Sequence, residues 1–204
     1  ETAIMSVANQ THPDVEYIVI DGNSSDGTLE LIKKHPNVVD ILVSENDKGI
    51  YDALNKGISL ASGDVIGFLH SDDTFYSEDV LSSVAGFFSE TNCDGLYANL
   101  LYVSGSNVVR DWVASEFGST SLLFGWMPPH PGIFLKRSVY DSIGGYREDY
   151  KIAADYEFCI RAFLVKSIKY KAVSDTTVNM RLGGVSTDGL LSVVTITREI
   201  VRAC

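Results

Sequence analysis

The sequence predicts an α/β fold. Its first half reads as a mostly parallel, doubly wound sheet with helices on both faces, and its second half as mixed. Three observations predict this. Over roughly the first 90 residues, helical and extended patterns alternate, which calls for a parallel sheet with right-handed crossovers. The apolar run Val65-Ile66-Gly67-Phe68-Leu69 stops abruptly at His70-Ser71-Asp72-Asp73. An open α/β sheet binds its ligand at the carboxyl end of such a strand. Beyond residue 93 the alternation gives way to a hairpin pattern. With 204 residues and no repeat, linker or low-complexity tract, the chain reads as one domain. About 1–92 forms one half, 93–188 the other, and 189–204 a last helix.

Residues 2–10 place Ile4, Val7 and Ala8 on one helical face. Residues 15–20 form a strand that ends at Asp21. Gly22 to Gly27 is a loop by composition, and Asp26 is placed to cap the helix bearing Leu29, Leu31 and Ile32. His35-Pro36-Asn37 stops that helix, and residues 38–43 form a second strand. Ile50, Ala53, Leu54, Gly57, Ile58 and Ala61 recur at the spacing of an amphipathic helix. The third strand reaches Leu69 or His70 and reads as buried on both faces. Val80, Leu81, Val84, Phe87 and Phe88 mark a helix capped by Ser77. Residues 95–103 and 107–113 make a hairpin around Ser104-Gly105-Ser106. A weak helix over 119–127 precedes the rigid loop Met127-Pro128-Pro129-His130-Pro131-Gly132. A short strand over 132–135 and a helix over 138–143 follow, the helix closed by Gly144-Gly145. The rest reads as a helix over 155–165, strands over 168–173 and 176–182, and a helix over 190–203.

The composition excludes several functions. A formal net charge of -11 argues against nucleic-acid binding and against charge-driven docking on an anionic membrane. Anionic substrates remain compatible, because a bound metal reverses the local sign. No apolar run approaches the roughly 20 residues that span a bilayer. Glu1-Thr2-Ala3-Ile4 lacks the basic start of a signal peptide. Cys93, Cys159 and Cys204 are odd in number and far apart. They argue against a disulfide framework or zinc site and for a reducing compartment.

Asp72-Asp73 is the strongest chemical signal. Two adjacent carboxylates at a strand end ionise cheaply only beside a cation, and hard oxygen donors suit Mg²⁺ or Mn²⁺. A simple turn needs only one of them. Asp21 also ends a strand, where it either binds a ribose hydroxyl or base N–H or only starts an Asx turn. Asp155 shares a helical face with Phe158, Cys159 and Ala162. It is either a first-turn charge or a carboxylate that takes a proton from an attacking hydroxyl. Glu157, about 200° further round, serves elsewhere. His130 is either a structural hydrogen-bonder or a site residue. Lys48 is either a phosphate partner or a surface lysine. Asp52 and Asn55 lie off the apolar stripe of their helix.

Together these segments resemble the family-two nucleotide-sugar glycosyltransferases of the GT-A fold, in the form seen in bacterial polysaccharide assembly. Asp21-Gly22-Asn23-Ser24-Ser25-Asp26-Gly27-Thr28 is similar to the family's first acidic segment. Asp47-Lys48-Gly49-Ile50-Tyr51-Asp52-Ala53-Leu54-Asn55-Lys56-Gly57 is similar to its next block. Ala61 to Leu69 followed by Ser71-Asp72-Asp73 resembles the strand entering the D-x-D motif. Ala154-Asp155-Tyr156-Glu157 with Arg161 resembles the helix that carries the base, and Gly183-Gly184-Val185-Ser186 recurs near the domain's end. The likeness runs from about residue 3 to 188. Here His70 occupies the first acidic place of D-x-D and Ala154 the place of a glutamate, and the family's first strand is expected to be missing.

The resemblance implies a Rossmann-like GT-A fold and an inverting transferase. It would move a sugar from a nucleoside-diphosphate sugar, expected to be a UDP-sugar, to a saccharide or lipid-linked acceptor. Asp21, Lys48, Asp52 and Asp72 would bind the nucleotide sugar. Asp72 and Asp73 would hold Mn²⁺ or Mg²⁺. Asp155 would be the catalytic base, and His130 would face the acceptor. The expected location is cytoplasmic, at the inner face of the membrane if the acceptor is lipid-linked. A catalytically weak sugar-binding protein of the same fold and a metal-dependent nucleotidyltransferase are the alternative readings. The nucleotidyltransferase wants a Gly-rich phosphate loop, which is not visible.

Overall fold

A computed structural model of the chain describes residues 1–182 and 189–204. The Gly183 to Ser186 segment lies outside the described residues. The first half runs α1 (Thr2–Ala8), β1 (Ile18–Asp21), α2 (Thr28–Ile32), β2 (Ile41–Ser44), α3 (Ile50–Leu60), β3 (Val65–Gly67), β4 (Thr74–Phe75) and α4 (Val80–Glu90). The second half runs β5 (Gly95–Ser104), β6 (Asn107–Trp112), β7 (Ile133–Lys136), α5 (Arg137–Ile143), α6 (Ala154–Cys159), β8 (Tyr170–Arg181) and α7 (Gly189–Ala203). Tight 3₁₀ turns cover Ser119–Phe124 and His130–Gly132, and α6 widens into a π-type helix over Ile160–Val165.

The α/β class, with helices on both faces, holds. β5 and β7 show why. Tyr97 and Leu135 point into a core shared with Tyr156, Phe158 and Phe163 on α6 and its extension. Leu96 and Phe134 point the other way, onto Val84 of α4. Successive strand residues face opposite sides, so a run buried throughout, such as Leu96-Tyr97-Ala98, requires cover on both.

The sheet is split, and its parallel share is smaller than the sequence suggests. β1 and β2 pair in parallel as a two-stranded sheet, in register Ile18 with Ile41 through Asp21 with Ser44. The larger sheet has the order β3-β7-β5-β8-β4, with β6 against β5. Within it only β5 and β8 are parallel. The alternation predicts β3 as part of the parallel sheet, yet it pairs antiparallel with β7, and it closes at Gly67 instead of running to Leu69 or His70. Hydrophobic patterning marks strands but is silent on their partners.

Other differences are local. β8 (Tyr170–Arg181) is one long strand, irregular in its register against β5 around Asn99, where the sequence predicts two, over 168–173 and 176–182. β4 was not anticipated. The α4 N-cap is Asp79, not Ser77; Asp79 accepts a hydrogen bond from Thr11 Oγ1 at 2.8 Å. Asp26 does not cap α2, whose N-cap is Gly27, although its Oδ1 accepts the Thr28 N–H at 3.1 Å. On α3 the predicted stripe fails at Ile50, which is exposed while Tyr51 is buried; Ala53, Leu54, Gly57, Ile58 and Ala61 are half-buried. Cys93, Cys159 and Cys204 are free thiols.

Candidate active site

The acidic turn follows β3 and leads into β4. Asp72 is exposed, whereas Asp73 is only 1% exposed. The turn is closed by the Asp73 N–H, which donates to the His70 carbonyl at 3.1 Å. β4 pairs with β8 at Thr74 and Asn179, and this brings Arg181 alongside. The Arg181 N–H donates to Asp73 Oδ1 at 2.9 Å. Asp73 Oδ2 is buried and has no hydrogen-bond partner among the described residues. Burial, opposed by the Arg181 N–H, pushes the carboxyl up to about 6. A buried acceptor without a donor is costly, and a cation beside it would remove that cost.

Asp155 and His130 sit close to this turn. Asp155 lies in the first turn of α6, where Oδ1 accepts the Tyr156 N–H at 2.8 Å. Oδ2 lies 3.4 Å from His130 Nδ1, and the Asp155 side chain keeps 21% of its exposure. It is held yet reachable. His130 projects from the proline loop, where Pro128, Pro129 and Pro131 are fully buried. A Cβ on Gly132 would lie 2.6 Å from the Ala98 carbonyl oxygen, so only glycine lets the loop back this closely onto β5. The His70 and His130 rings are 5.8 Å apart. Burial draws both imidazoles below the ordinary histidine value, against an upward pull from Asp155 that both feel. His130 also senses Asp73, and His70 senses Asp72. The structure therefore gathers Asp72, Asp73, His130 and Asp155, and adds His70.

Of the remaining predicted residues, Asp21 ends β1, Lys48 lies on the loop after β2 and Asp52 sits in the first turn of α3. Asp21 is buried, with Oδ2 accepting the Ser44 hydroxyl at 2.7 Å and the Ser24 N–H at 3.1 Å. Burial alone would raise its pKa; the hydrogen bonds from Ser24, Ser44 and Asn23 outweigh it and hold the carboxyl below its usual range. Both readings of Asp21 survive, since this is an Asx turn at a strand end. Asn23 Nδ2 donates to Asn46 Oδ1 at 3.1 Å and ties the two loops together. Asp52 Oδ2 accepts the Lys48 N–H at 3.0 Å and contacts Lys56 Nζ at 3.1 Å. Lys48 is exposed.

α3 bridges the two groups. Asp52 serves the loop after β2, while Tyr51 and Asn55 reach the segment that precedes Asp155. The Tyr51 hydroxyl donates to the Ile152 carbonyl and accepts the Ala154 N–H at 3.1 Å. Asn55 brackets Tyr146, donating to its carbonyl at 2.8 Å and accepting its N–H at 2.7 Å. Gly145 has no Cβ to collide with Asn55 Oδ1. Sequence reasoning missed Tyr51. The available signal was a phenol inside the block that also carries Lys48 and Asp52.

Glu157 does serve elsewhere, as expected. Arg161 grips it with Nε and Nη2 at 2.8–3.0 Å, while its Nη1 and Nη2 donate to the Ile143 and Gly145 carbonyls at 2.7 Å. Among the described residues, no group of three or more His, Cys, Asp or Glu could hold a metal ion. The fit for a metal is one buried oxygen without a partner and one exposed carboxylate beside it.

The sequence profile of glycosyl transferase family 2 matches residues 1–169. A PGL/p-HBAD biosynthesis glycosyltransferase of Mycobacterium bovis is 35% identical over 161 residues, covering 78% of this chain and 62% of that protein. The putative teichuronic acid biosynthesis glycosyltransferase TuaG of Bacillus subtilis is 31% identical over 96 residues, 46% of this chain and 38% of TuaG. The chain thus spans about three-fifths of the length of the mycobacterial relative, 62%. Among solved structures, S. aureus TarS 1-349 in complex with UDP-GlcNAc superposes with a TM-score of 0.77 at 21% identity, over 98% of this chain and 61% of TarS 1-349. The mannosyltransferase PcManGT from Pyrobaculum calidifontis, in complex with GDP-Man and Mn²⁺, gives 0.68 at 16% identity, over 98% and 59%. At these identities the superpositions speak for the fold.

Proposed function

The chain belongs to glycosyl transferase family 2, and from that premise we propose that it moves a sugar, with inversion, from a nucleoside-diphosphate sugar to an acceptor hydroxyl. The observation that carries this reading is the juxtaposition of Asp73 and Asp155. A buried carboxylate oxygen without a partner among the described residues and a partly open carboxylate both act on His130, whose ring lies 5.8 Å from that of His70. The first suits a charged diphosphate with its cation, the second an attacking hydroxyl.

The chain's residues then divide the work. Asp21 at the end of β1, Lys48 on the loop after β2 and Asp52 in the first turn of α3 line the nucleotide side, held by the hydrogen bonds around them. Lys48 offsets negative charge building on the departing diphosphate. Asp72 and Asp73 would hold Mn²⁺ or Mg²⁺, which when bound supplies Lewis-acid stabilisation of that leaving group. Asp155 accepts the proton of the acceptor hydroxyl as it attacks. Attack opposite the leaving group inverts the anomeric carbon. His130 and its proline loop face the acceptor and fix the Asp155 carboxylate from the side.

The relatives' names assign them to PGL/p-HBAD biosynthesis and, for TuaG as a putative role, to teichuronic acid biosynthesis, and solved neighbours hold UDP-GlcNAc or GDP-Man. A UDP-sugar donor and a saccharide or lipid-linked acceptor are the reading these support. No helix among the described residues is long and apolar enough to cross a membrane. A cytoplasmic enzyme working at the inner membrane face is consistent with that.

The test is calorimetric titration with UDP, GDP, CDP and dTDP, each with and without Mn²⁺. Metal-dependent preference for one nucleotide supports the proposal and names the donor class. Folded protein that binds none of them refutes it for this chain.

A further inference from the structure

We propose that Glu199 of α7 is the positioning residue for Asp155, holding the base's backbone in register from the far end of the chain. The proposal rests on the reading of Asp155 as the base.

Glu199 is 9% exposed. Its Oε1 accepts the Lys151 N–H at 2.7 Å, and its Oε2 accepts the N–H groups of Ile152 at 3.0 Å and Ala153 at 2.8 Å. Three consecutive amides converge on one carboxylate. α6 begins at the next residue, and Asp155 is its second. The Ala153 N-cap has no side-chain oxygen, and α6 has no side-chain cap of its own. Burial alone would raise the Glu199 carboxyl; the three amides outweigh it and hold it below the ordinary glutamate value. It is therefore an anion at neutral pH, and charge-assisted acceptance makes such bonds the stronger kind.

The grip has two sides. From α3, the Tyr51 hydroxyl takes the Ile152 carbonyl and the Ala154 N–H. From α7, Glu199 takes the amides of 151–153. Arg202, further along α7, pairs with Asp149 and lies over the Tyr150 ring at 4.6 Å. The segment that delivers Asp155 is thus bonded to two helices, α3 and α7, that lie far apart in the sequence. A misplacement of about 1 Å costs on the order of 10²-fold in rate, so this segment's register bears directly on the base.

The experiment compares wild type with Glu199→Ala and Glu199→Gln by NMR. In Glu199→Ala the amides of 151–153 exchange about tenfold faster or more, and the Asp155 side-chain carboxyl and His130 ring resonances both move. Affinity for UDP with Mn²⁺ stays within about twofold, since Glu199 touches no nucleotide-side residue. Glu199→Gln falls between, because an amide oxygen still serves Ile152 and Ala153 but its NH₂ cannot accept from Lys151; it also stands in if the alanine variant fails to fold. Unchanged exchange overturns the proposal. So does faster exchange with the Asp155 and His130 signals unmoved, which makes Glu199 a mere anchor for α7. Sugar transfer that survives Asp155→Asn overturns the base reading instead, and leaves the exchange result standing.

Discussion

Asp73 holds its charge in a place that penalises it. An unfolded aspartate titrates near 3.8, and burial moves this one to about 6. Between those values the folded protein binds the extra proton. Its contribution to stability is therefore full below pH 4 and is lost as pH rises through 6. Asp73→Asn should flatten the decline in stability between pH 4 and 6, because an amide does not titrate there, while its buried NH₂ keeps a desolvation cost of its own. Urea denaturation at several pH values checks this, and a decline that the variant retains would show that the carboxylate carries no penalty. Asp155→Asn is expected to leave nucleotide affinity intact and to lower sugar transfer by roughly 10²–10⁴-fold; calorimetry and a transfer assay on the same preparation separate the two. Both aspartates were legible in the sequence, because each is a carboxylate at an apolar boundary. The division between them was not. Asp73 is buried and Asp72 exposed because β4 meets β8, and the bond from Arg181 spans 108 positions.

At the scale of elements, α3 and α6 show what periodicity reveals. The 3.6-residue rhythm placed both helices correctly. It put Ile50 on the buried face because aliphatic residues are assumed to lead, yet the structure buries Tyr51, whose hydroxyl has carbonyl and amide partners to satisfy. An amphipathic aromatic with a polar tip is at home where backbone must be held. On α6 the expectation that Glu157 faces away from Asp155 holds, and its reason is Arg161. That guanidinium joins the helix to the end of α5 through the Ile143 carbonyl. Arg161→Ala would leave Glu157, whose side chain is 8% exposed, as an uncompensated buried charge and orphan two carbonyls. The expected loss is about 3–5 kcal/mol, read as a lower urea midpoint. A change below about 0.5 kcal/mol, the ordinary surface-substitution range, would refute the clamp.

At the scale of the whole molecule, the acidic balance and the absence of repeats pointed to one α/β domain that binds no nucleic acid, and the family match agrees on the domain type. Sheet pairing was the part the sequence withheld. Strand order depends on which edges meet after the crossovers close, and a pattern of apolar residues is the same whichever neighbour it finds. Glu199 escaped notice for the same reason: an acidic residue on an amphipathic terminal helix looks like solvent-facing charge until the fold brings 151–153 against it.

The split sheet has a further consequence for how this 204-residue chain behaves in concentrated solution. Among the described residues β1 pairs with β2 alone, so one rim of Ile18-Val19-Ile20 offers backbone donors and acceptors with no strand alongside. Such a rim is a template for another copy, and its β-branched residues favour that addition. Apparent mass by light scattering should rise with protein concentration. A mass that stays monomeric up to millimolar protein would mean the rim is already capped.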